Sequence, residues 1–242
     1  MTAAASPWTT GLMGDRLTPS AAALLVPSPE LGQAAEQEPR LIGGPPSRIL
    51  PDLFVGDHGA SIGYEQLVQL GITHVLNVKG GHRVPPLPYS EKLSLHSVPL
   101  SDFGDDDLAS RLPECFSVLE ACRRSGGRCL VHCSQGMNRS PSVVLAFLVC
   151  SAHTRWSLAE AWAFVKARRP MVSPHHLYFE QLQAIECAEH GKGAPSISAT
   201  EADIYIPLAV VDAAALLEAA AMATDADAEI QQLCTKEVHR CS

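Results

Sequence analysis

The chain contains few basic residues, few aromatic residues and no long apolar run. Its 242 residues include 18 Lys and Arg against 26 Asp and Glu, which gives a formal net charge of -8, and 5% are aromatic. The longest apolar segment, residues 207–222, is interrupted by Asp212 and Glu218, so no transmembrane helix is expected. This length predicts one domain of catalytic size flanked by tails rather than two full domains.

The acidic charge lies in the tails. Residues 1–47 carry a net charge of -2, residues 48–190 carry -1 and residues 191–242 carry -5. The middle of the chain therefore has no excess of positive charge with which to bind a nucleic-acid backbone along its length, and a nucleic-acid partner is not expected. We expect any anion that binds there to be held by a local site.

The eight cysteines raise the question of the redox compartment. The first segment has no basic leader, and its apolar run from Ala21 spans only six residues, so a secretory signal is not predicted. We therefore expect free thiols and a cytoplasmic or nuclear location. An organelle transit peptide stays open, because Ala, Ser and Thr are frequent near the start, although Arg16 is the only base before Arg40.

The composition divides the chain into three parts. Residues 1–47 are rich in Ala, Pro, Gly and Ser without periodicity, which predicts a disordered arm. Residues 48–190 alternate strand-like and helix-like segments and are predicted to form the catalytic domain. Residues 191–242 form an acidic, alanine-rich tail that could contain one helix over residues 208–222.

Short apolar segments and helical segments alternate in the middle part, which predicts an α/β domain. ILPDLFVGD indicates a strand pair at a sheet edge, SIGYEQLVQLG a helix that ends at Gly71, and ITHVLNV, LSLHSVPL and RCLVH three further strands. We expect a short, mostly parallel central sheet flanked by helices. The predicted helices are DDDLASRLPECFSVLEACRR with Pro113 in its first turn, PSVVLAFLVCSA, which is apolar on nearly every side, LAEAWAFVKA behind a Ser157–Glu160 capping box, and HLYFEQLQAIECAEH.

The segment from Val131 to Ser140 lies between a predicted strand and the start of the apolar helix. A loop in that place can turn its backbone N–H groups inward, and the helix dipole adds partial positive charge at the same point. Gly136 permits backbone angles that other residues avoid, and the planar guanidinium of Arg139 matches two oxygens of a phosphate. The segment therefore predicts an oxyanion site.

A thiol in such a field is more acidic than an ordinary cysteine. The amides, the dipole and Arg139 all favour the thiolate of Cys133, so its pKa is predicted to fall from about 8.5 to ~5–7. The same field attracts a phosphate dianion, and Arg139 would orient its phosphorus in line with the sulfur. These residues predict nucleophilic attack by Cys133 and a cysteinyl-phosphate intermediate.

The departing oxygen needs a proton from outside the loop. Asp102 follows a predicted strand directly, where the active site of an α/β protein is expected, whereas residues 105–107 precede a helix whose N-terminus they would cap. We assign the acid to Asp102 and capping to the other three. The Asp102 carboxylate can later take a proton from water, and the Ser140 hydroxyl can donate to the sulfur as it leaves.

HCSQGMNRS resembles the HCxxGxxRS signature of cysteine-dependent protein phosphatases, and residues 48–189 resemble the dual-specificity branch. The resemblance implies that Cys133 is the nucleophile, Arg139 the phosphate ligand, Asp102 the general acid and Ser140 the hydroxyl that assists release. It implies a phosphate-binding loop made of Ser134, Gln135, Gly136, Met137, Asn138 and Arg139. It also implies a phosphoprotein substrate with phosphotyrosine, phosphoserine or phosphothreonine, no metal and no organic cofactor.

Two positions depart from the family pattern. Asn138 stands where Ser or Gly is more usual, and it resembles the related phosphatases that act on RNA 5' ends. His175 stands where an Asn would be expected to steady the acid loop. An RNA 5'-phosphatase is therefore one alternative, beside a phospho-binding scaffold without activity and a sulfur-transferring rhodanese, which would not need Asp102.

Several neighbouring side chains have a structural interpretation that competes with a functional one. Cys129 is predicted to be a core residue rather than a metal ligand with His132 and Cys133. Either Cys129 or Cys122 could trap an oxidised Cys133 as a disulfide. His175 and His176 are expected on a surface turn, and Arg168 and Arg169 are expected to be surface charges near a helix end.

Overall fold

A computed structural model describes residues 17–19, 44–79 and 93–204, and within these ranges five strands form one sheet. The strands are β1 (Ser47–Leu50), β2 (Leu53–Gly56), β3 (His74–Lys79), β4 (Ser94–Leu100) and β5 (Cys129–His132). Their order across the sheet is β1-β2-β5-β3-β4. β5 is thus the central strand, and the loop that follows it opens at the middle of the sheet.

The sheet is parallel except at one edge. β1 and β2 form an antiparallel pair in which Ser47 lies opposite Val55. The pairs β2–β5, β3–β5 and β3–β4 are parallel, and Val131 of β5 lies between Val55 and Leu76. Apolar strands of this kind suit a sheet that is covered on both faces. The predictions of a mostly parallel sheet and of a strand pair at its edge are confirmed.

Six helices border the sheet in the described ranges. They are α1 (His58–Ile62), α2 (Tyr64–Gln69), α3 (Leu108–Arg124), α4 (Arg139–Cys150), α5 (Leu158–Arg168) and α6 (His176–His190). The helix predicted before Gly71 is two short helices that meet at Gly63, and Gly71 ends the second with a left-handed φ of 67°. Pro113 lies in the second turn of α3 and not in its first, because the helix begins at Leu108 behind the Asp107 cap.

Each face of the sheet has its own apolar core, since successive residues of a strand point to opposite faces. Val55, Leu76 and Val131 belong to the larger core together with helices α3 to α6, and Leu130 belongs to the smaller core with Leu67 of α2. Every residue of α4 is buried, as predicted for a helix that is apolar on nearly every side. The helix that begins at the loop is therefore fixed on all sides.

The domain continues beyond the boundary that the sequence predicted at His190. Ala202 and Ile204 are buried in the larger core, and the Ser196 N–H donates to Glu186 Oε2 over 2.8 Å. Glu186 is wholly buried and also accepts from Leu158 N–H. Residues 191–204 thus belong to the folded domain, and the predicted boundary was too early.

Much of the two predicted tails lies outside the described residues, including the helix expected over residues 208–222. In the predicted N-terminal arm, Leu17 donates its N–H to His153 O over 2.7 Å and accepts from Trp156 Nε1 through its carbonyl. That point of the arm therefore contacts the domain. Among the helices of the described ranges, none has the length and apolar character needed to cross a bilayer.

Candidate active site

The site is built around the short loop that joins β5 to α4. Residues 133–138 connect His132, which ends β5, to Arg139, which begins α4. Gly136 has a left-handed φ of 67°, and a side chain at this position would collide with Gly56 O and the Arg169 guanidinium. The loop can turn this tightly because residue 136 is glycine.

The Cys133 thiol lies inside this turn. Its Sγ accepts from Gly136 N–H over 3.2 Å and from Ser140 Oγ over 3.4 Å, and the residue is 2% exposed. Burial favours the neutral thiol, but the hydrogen bonds from Ser140 and Gly136 and the charge of Arg139 outweigh it and lower the pKa of Cys133 below its ordinary value. The predicted decrease in the pKa of Cys133 is confirmed. A lower pKa favours the thiolate, which is the nucleophilic form of cysteine.

The carbonyl groups of the loop accept hydrogen bonds from donors outside the turn. Ser134 O accepts from His58 N–H over 3.0 Å, and Met137 O accepts from Ser173 N–H over 2.8 Å. In a trans peptide the carbonyl and the following N–H point in opposite directions. Outward carbonyls at these two positions therefore direct the amides of Gln135 and Asn138 toward the inside of the turn, as a phosphate-binding loop requires.

Arg169 donates hydrogen bonds to two further carbonyl groups of the loop. It is the functional residue that the sequence did not predict. Its Nε donates to Gly136 O over 2.7 Å and its Nη2 donates to Gln135 O over 3.1 Å, and the residue is 7% exposed. The expectation of a surface charge is wrong for Arg169, because its partners come from a loop more than thirty residues away in sequence. No signal in the segment around Arg169 itself reports those partners.

Arg139 places its guanidinium between the loop and the acid segment. Its Nε lies 2.9 Å from Asp102 Oδ1 and its Nη2 donates to Ser134 Oγ over 3.0 Å. A weaker contact of 3.4 Å joins Nη1 to Leu100 O at the end of β4. The Arg139 side chain is 6% exposed and that of Asp102 is 58% exposed, so Asp102 lies at the open side of the site.

The segment that carries Asp102 is attached to α6. Tyr178 Oη donates to Ser101 O over 2.7 Å, and Gln181 Nε2 donates to Gly104 O over 3.2 Å and to Asp106 O over 3.0 Å. We call residues 101–107 the acid loop. Of the three aspartates that were expected to cap α3, Asp107 does so, whereas Asp106 accepts from the Ser101 N–H and closes the acid loop.

The histidines around the loop have different roles. The His132 Nδ1 lies 3.2 Å from Cys133 O, which can only accept, so this nitrogen carries the proton. Burial is the main cause that lowers the pKa of His132 to about 4, which makes the ring neutral at ordinary pH. His175 caps α6, as a turn residue would, but His176 is 5% exposed, so the expectation of a surface position is wrong for His176.

The proposed disulfide partners lie at the other end of β5. Cys129 begins this strand and Cys133 follows it, a separation of about 13 Å in extended chain, whereas a disulfide requires Cα atoms within about 7 Å. Cys122 O accepts from the N–H of Gly127, two residues before Cys129, so Cys122 lies at the same distant end. The hypothesis that either cysteine traps Cys133 is therefore contradicted by the geometry of the fold. Among the residues that the structure describes, no cluster of three His, Cys, Asp or Glu side chains is arranged to hold a metal ion.

A cysteine inside an amide-lined turn, an arginine at the following helix start and an aspartate over the turn define the class of cysteine-dependent phosphatases. The family model described as "Dual specificity phosphatase, catalytic domain" matches residues 53–187. The chain belongs to the dual specificity phosphatase family. It is accordingly a dual-specificity protein phosphatase, and the RNA 5'-phosphatase and scaffold alternatives are not favoured.

Individual relatives agree with this assignment. Human dual specificity phosphatase 28 is 36% identical over 155 residues, which cover 64% of this chain and 82% of the relative. Mouse dual specificity protein phosphatase 2 is 36% identical over 143 residues, which cover 59% of this chain and 43% of that longer relative. A crystal structure of human DUSP28 superposes with a TM-score of 0.55 at 35% identity and covers 61% of this chain and 96% of that chain.

Proposed function

We propose that Cys133 carries out phosphomonoester hydrolysis in two steps, with Arg139, Asp102 and Ser140 in the roles that the sequence analysis assigned. The observation that carries this proposal is the setting of the Cys133 Sγ, which accepts from Gly136 N–H and Ser140 Oγ inside a turn of inward amides. This setting stabilises a thiolate and, by the same charges, binds the oxygens of a phosphate.

In the first step the Cys133 thiolate attacks phosphorus, and the bond between phosphorus and the substrate oxygen breaks. The loop amides and the Arg139 guanidinium bind the equatorial oxygens and compensate their charge in the transition state. The bound dianion replaces the Asp102 carboxylate as the partner of Arg139, and the released carboxylate takes up a proton from solvent. Asp102 donates its proton to the departing oxygen, which leaves as an alcohol or phenol, and the product on the enzyme is a cysteinyl-phosphate.

In the second step water attacks the phosphorus of the cysteinyl-phosphate. Asp102, now a carboxylate, accepts a proton from that water, and the bond between sulfur and phosphorus breaks. The Ser140 hydroxyl, 3.4 Å from Sγ, donates a hydrogen bond to the thiolate as it forms. Inorganic phosphate leaves, and Asp102 is again protonated for the next turnover, so one carboxyl group serves as acid and then as base.

The substrates that we propose are proteins phosphorylated on tyrosine and on serine or threonine, in keeping with the family name. The test is a panel of a phosphotyrosine peptide, a phosphothreonine peptide, an RNA 5'-triphosphate and a phosphoinositide, with Cys133→Ser as the inactive control. We expect hydrolysis of both peptides by the native chain and none by the variant. Faster release of phosphate from the RNA than from either peptide would contradict the protein-substrate proposal.

A reducing location follows from the same chemistry, and we propose that the protein acts in the cytoplasm or nucleus. A cysteine whose pKa is lowered is a good nucleophile and is also readily oxidised, so it stays active where thiols are kept reduced. Fractionation of cells that express the tagged full chain tests this proposal. Recovery in a secreted fraction, or in an organelle fraction other than the nucleus, would contradict it.

A further inference from the structure

Asn138 lies at a junction of three segments: the phosphate-binding loop, the acid loop and the turn before α6. Its Nδ2 donates to Asp102 O over 2.8 Å and to Asp102 Oδ1 over 3.2 Å. Its Oδ1 accepts from His175 N–H over 2.8 Å. One side chain thus joins the residue that we assign as the acid to a fixed point at the start of α6.

The partners of Asn138 determine which way its amide is turned. A backbone carbonyl can only accept and a backbone N–H can only donate, so Nδ2 must face Asp102 O and Oδ1 must face His175 N–H. A serine has one oxygen and could not span both partners. An aspartate would retain the acceptor for His175 but lose the donor, and it would add a negative charge beside the Asp102 carboxylate. The two contacts together therefore require an amide side chain.

The backbone of Asn138 is itself held firmly. Asn138 O accepts from Ser142 N–H over 3.0 Å and from Ser142 Oγ over 2.8 Å in the first turn of the buried helix α4. A hydrogen bond from this side chain thus transmits the rigidity of α4 to the acid loop. The ring of His175 also packs against Gly104 of the acid loop, where a side chain would collide with its Nδ1.

We propose that Asn138 is a positioning residue that keeps Asp102 over the phosphate-binding loop while substrate is bound, an inference that rests on the proposed function. In the structure Asp102 has two attachments on the side of the loop, the ion pair with Arg139 and the hydrogen bonds from Asn138. A bound phosphate replaces Asp102 as the partner of Arg139, because a dianion inside the turn interacts more strongly with the guanidinium. The Asn138 contacts involve no atom that binds phosphate, so they persist and hold the acid in place.

The role predicts an effect on the chemical step that depends on the leaving group. A phenolate with low basicity departs with little help from an acid, whereas the alkoxide of phosphothreonine requires the proton. We expect Asn138→Ala to lower kcat for a phosphothreonine peptide at least about tenfold, within the range of about 10²–10⁴ that general acids contribute. For a fluorinated umbelliferyl phosphate, which has a good leaving group, we expect a loss of less than about threefold.

A double-variant cycle separates positioning from a merely structural role. In an Asp102→Asn background there is no acid to position, so adding Asn138→Ala should change kcat for the peptide by less than about twofold. Ser142→Ala is the matched control, because it removes only the bond from Ser142 Oγ to Asn138 O and leaves the Ser142 N–H bond and the Asn138 side chain in place. We expect Ser142→Ala to change kcat by the same factor for the two substrates.

Equal losses on both substrates, or a loss that persists in the Asp102→Asn background, would overturn the role of Asn138. If Asn138→Ala does not fold, as judged by its melting curve, Asn138→Asp keeps the shape and tests the same point. We expect Asn138→Asp to show the same dependence on the leaving group, and an unaltered peptide kcat would overturn the inference. Failure of the proposed function itself would be seen separately, as activity that survives Cys133→Ser.

Discussion

The Arg169 Nε donates to the Gly136 carbonyl oxygen over 2.7 Å from a position that is 7% exposed. Together with the contact to Gln135 O, this bond holds the outside of the turn whose inside we propose as the phosphate site. The shape of that site therefore depends on a buried cation that bonds to the loop backbone rather than to the thiol. Charge-assisted bonds of this kind are among the stronger ones in proteins.

Arg169→Met should loosen the phosphate-binding loop, because it leaves the buried carbonyl of Gly136 and the carbonyl of Gln135 without this donor. We expect the free energy of unfolding to fall by about 1–3 kcal/mol, which is the scale for one unsatisfied buried polar group. We also expect weaker binding of vanadate, measured as a rise in its inhibition constant. Arg168→Met is the matched control, since Arg168 bonds within its own helix to Phe164 O. Equal vanadate constants for the two variants would contradict this account of Arg169.

Ser140→Ala should slow the second step more than the first. The Ser140 hydroxyl donates to the Cys133 Sγ, and without it the sulfur is a poorer leaving group. In a rapid-mixing assay with an aryl phosphate we expect a burst of phenol followed by a steady rate at least about tenfold below that of the native chain. A slow steady rate with no burst would mean that Ser140 serves attack rather than release.

His132 should make the stability of the fold depend on pH. Burial lowers the pKa of His132 in the fold from 6.5 to about 4, so between these values the unfolded chain binds a proton that the folded chain does not. Protonation then favours unfolding, and the stability that His132 contributes is present in full above pH 6.5 and is lost as the pH falls toward 4. The shift corresponds to about 3 kcal/mol at 1.36 kcal/mol for each pKa unit.

Urea denaturation of the native chain and of His132→Asn at several pH values measures this effect. Other titrating groups are common to both proteins, so the informative quantity is the difference between their free energies of unfolding. We expect the native chain to lose about 3 kcal/mol relative to the variant between pH 6.5 and pH 4. Two parallel curves over this interval would show that His132 is not held neutral by the fold.

Truncation should show where the domain ends. A chain that stops after Ile204 keeps the bond between Ser196 and Glu186 and the buried Ala202 and Ile204, and we expect it to retain the melting temperature of the full chain. A chain that stops after His190 exposes the buried carboxylate of Glu186 and part of the larger core. We expect this loss to cost about 1–2 kcal/mol of stability, which corresponds to a melting temperature several degrees lower. Equal melting temperatures for the two truncated chains would mean that the domain ends at residue 190.

Local patterns predicted the parts of this protein that depend on neighbouring residues. The short apolar strands and the loop between β5 and α4 follow from periodicity and from the glycine and arginine spacing around Cys133. The burial of α4 follows from a sequence that is apolar on nearly every side after its first turn. In each case the physical cause lies within about ten residues of the feature that it produces.

The features that sequence did not predict depend on contacts between distant segments. Arg169 has the same local setting as Arg168, and only the fold brings it to the carbonyls of Gln135 and Gly136. Residues 191–204 have few apolar side chains, and they join the domain because Ser196 donates to the buried Glu186 and accepts from the distant Ala159 N–H of α5. Asn138 was noted as unusual in sequence, but its contacts with Asp102 and His175 required the tertiary structure.

The most direct test of the account is to locate the phosphate during turnover. A radiolabelled phosphopeptide is mixed with Ser140→Ala, in which the intermediate should persist, the reaction is quenched in acid, and the labelled residue is identified by peptide mapping. We expect one phosphate per chain, bound to Cys133, and none in Cys133→Ser. Turnover without a phosphorylated Cys133, or a label on another residue, would contradict it.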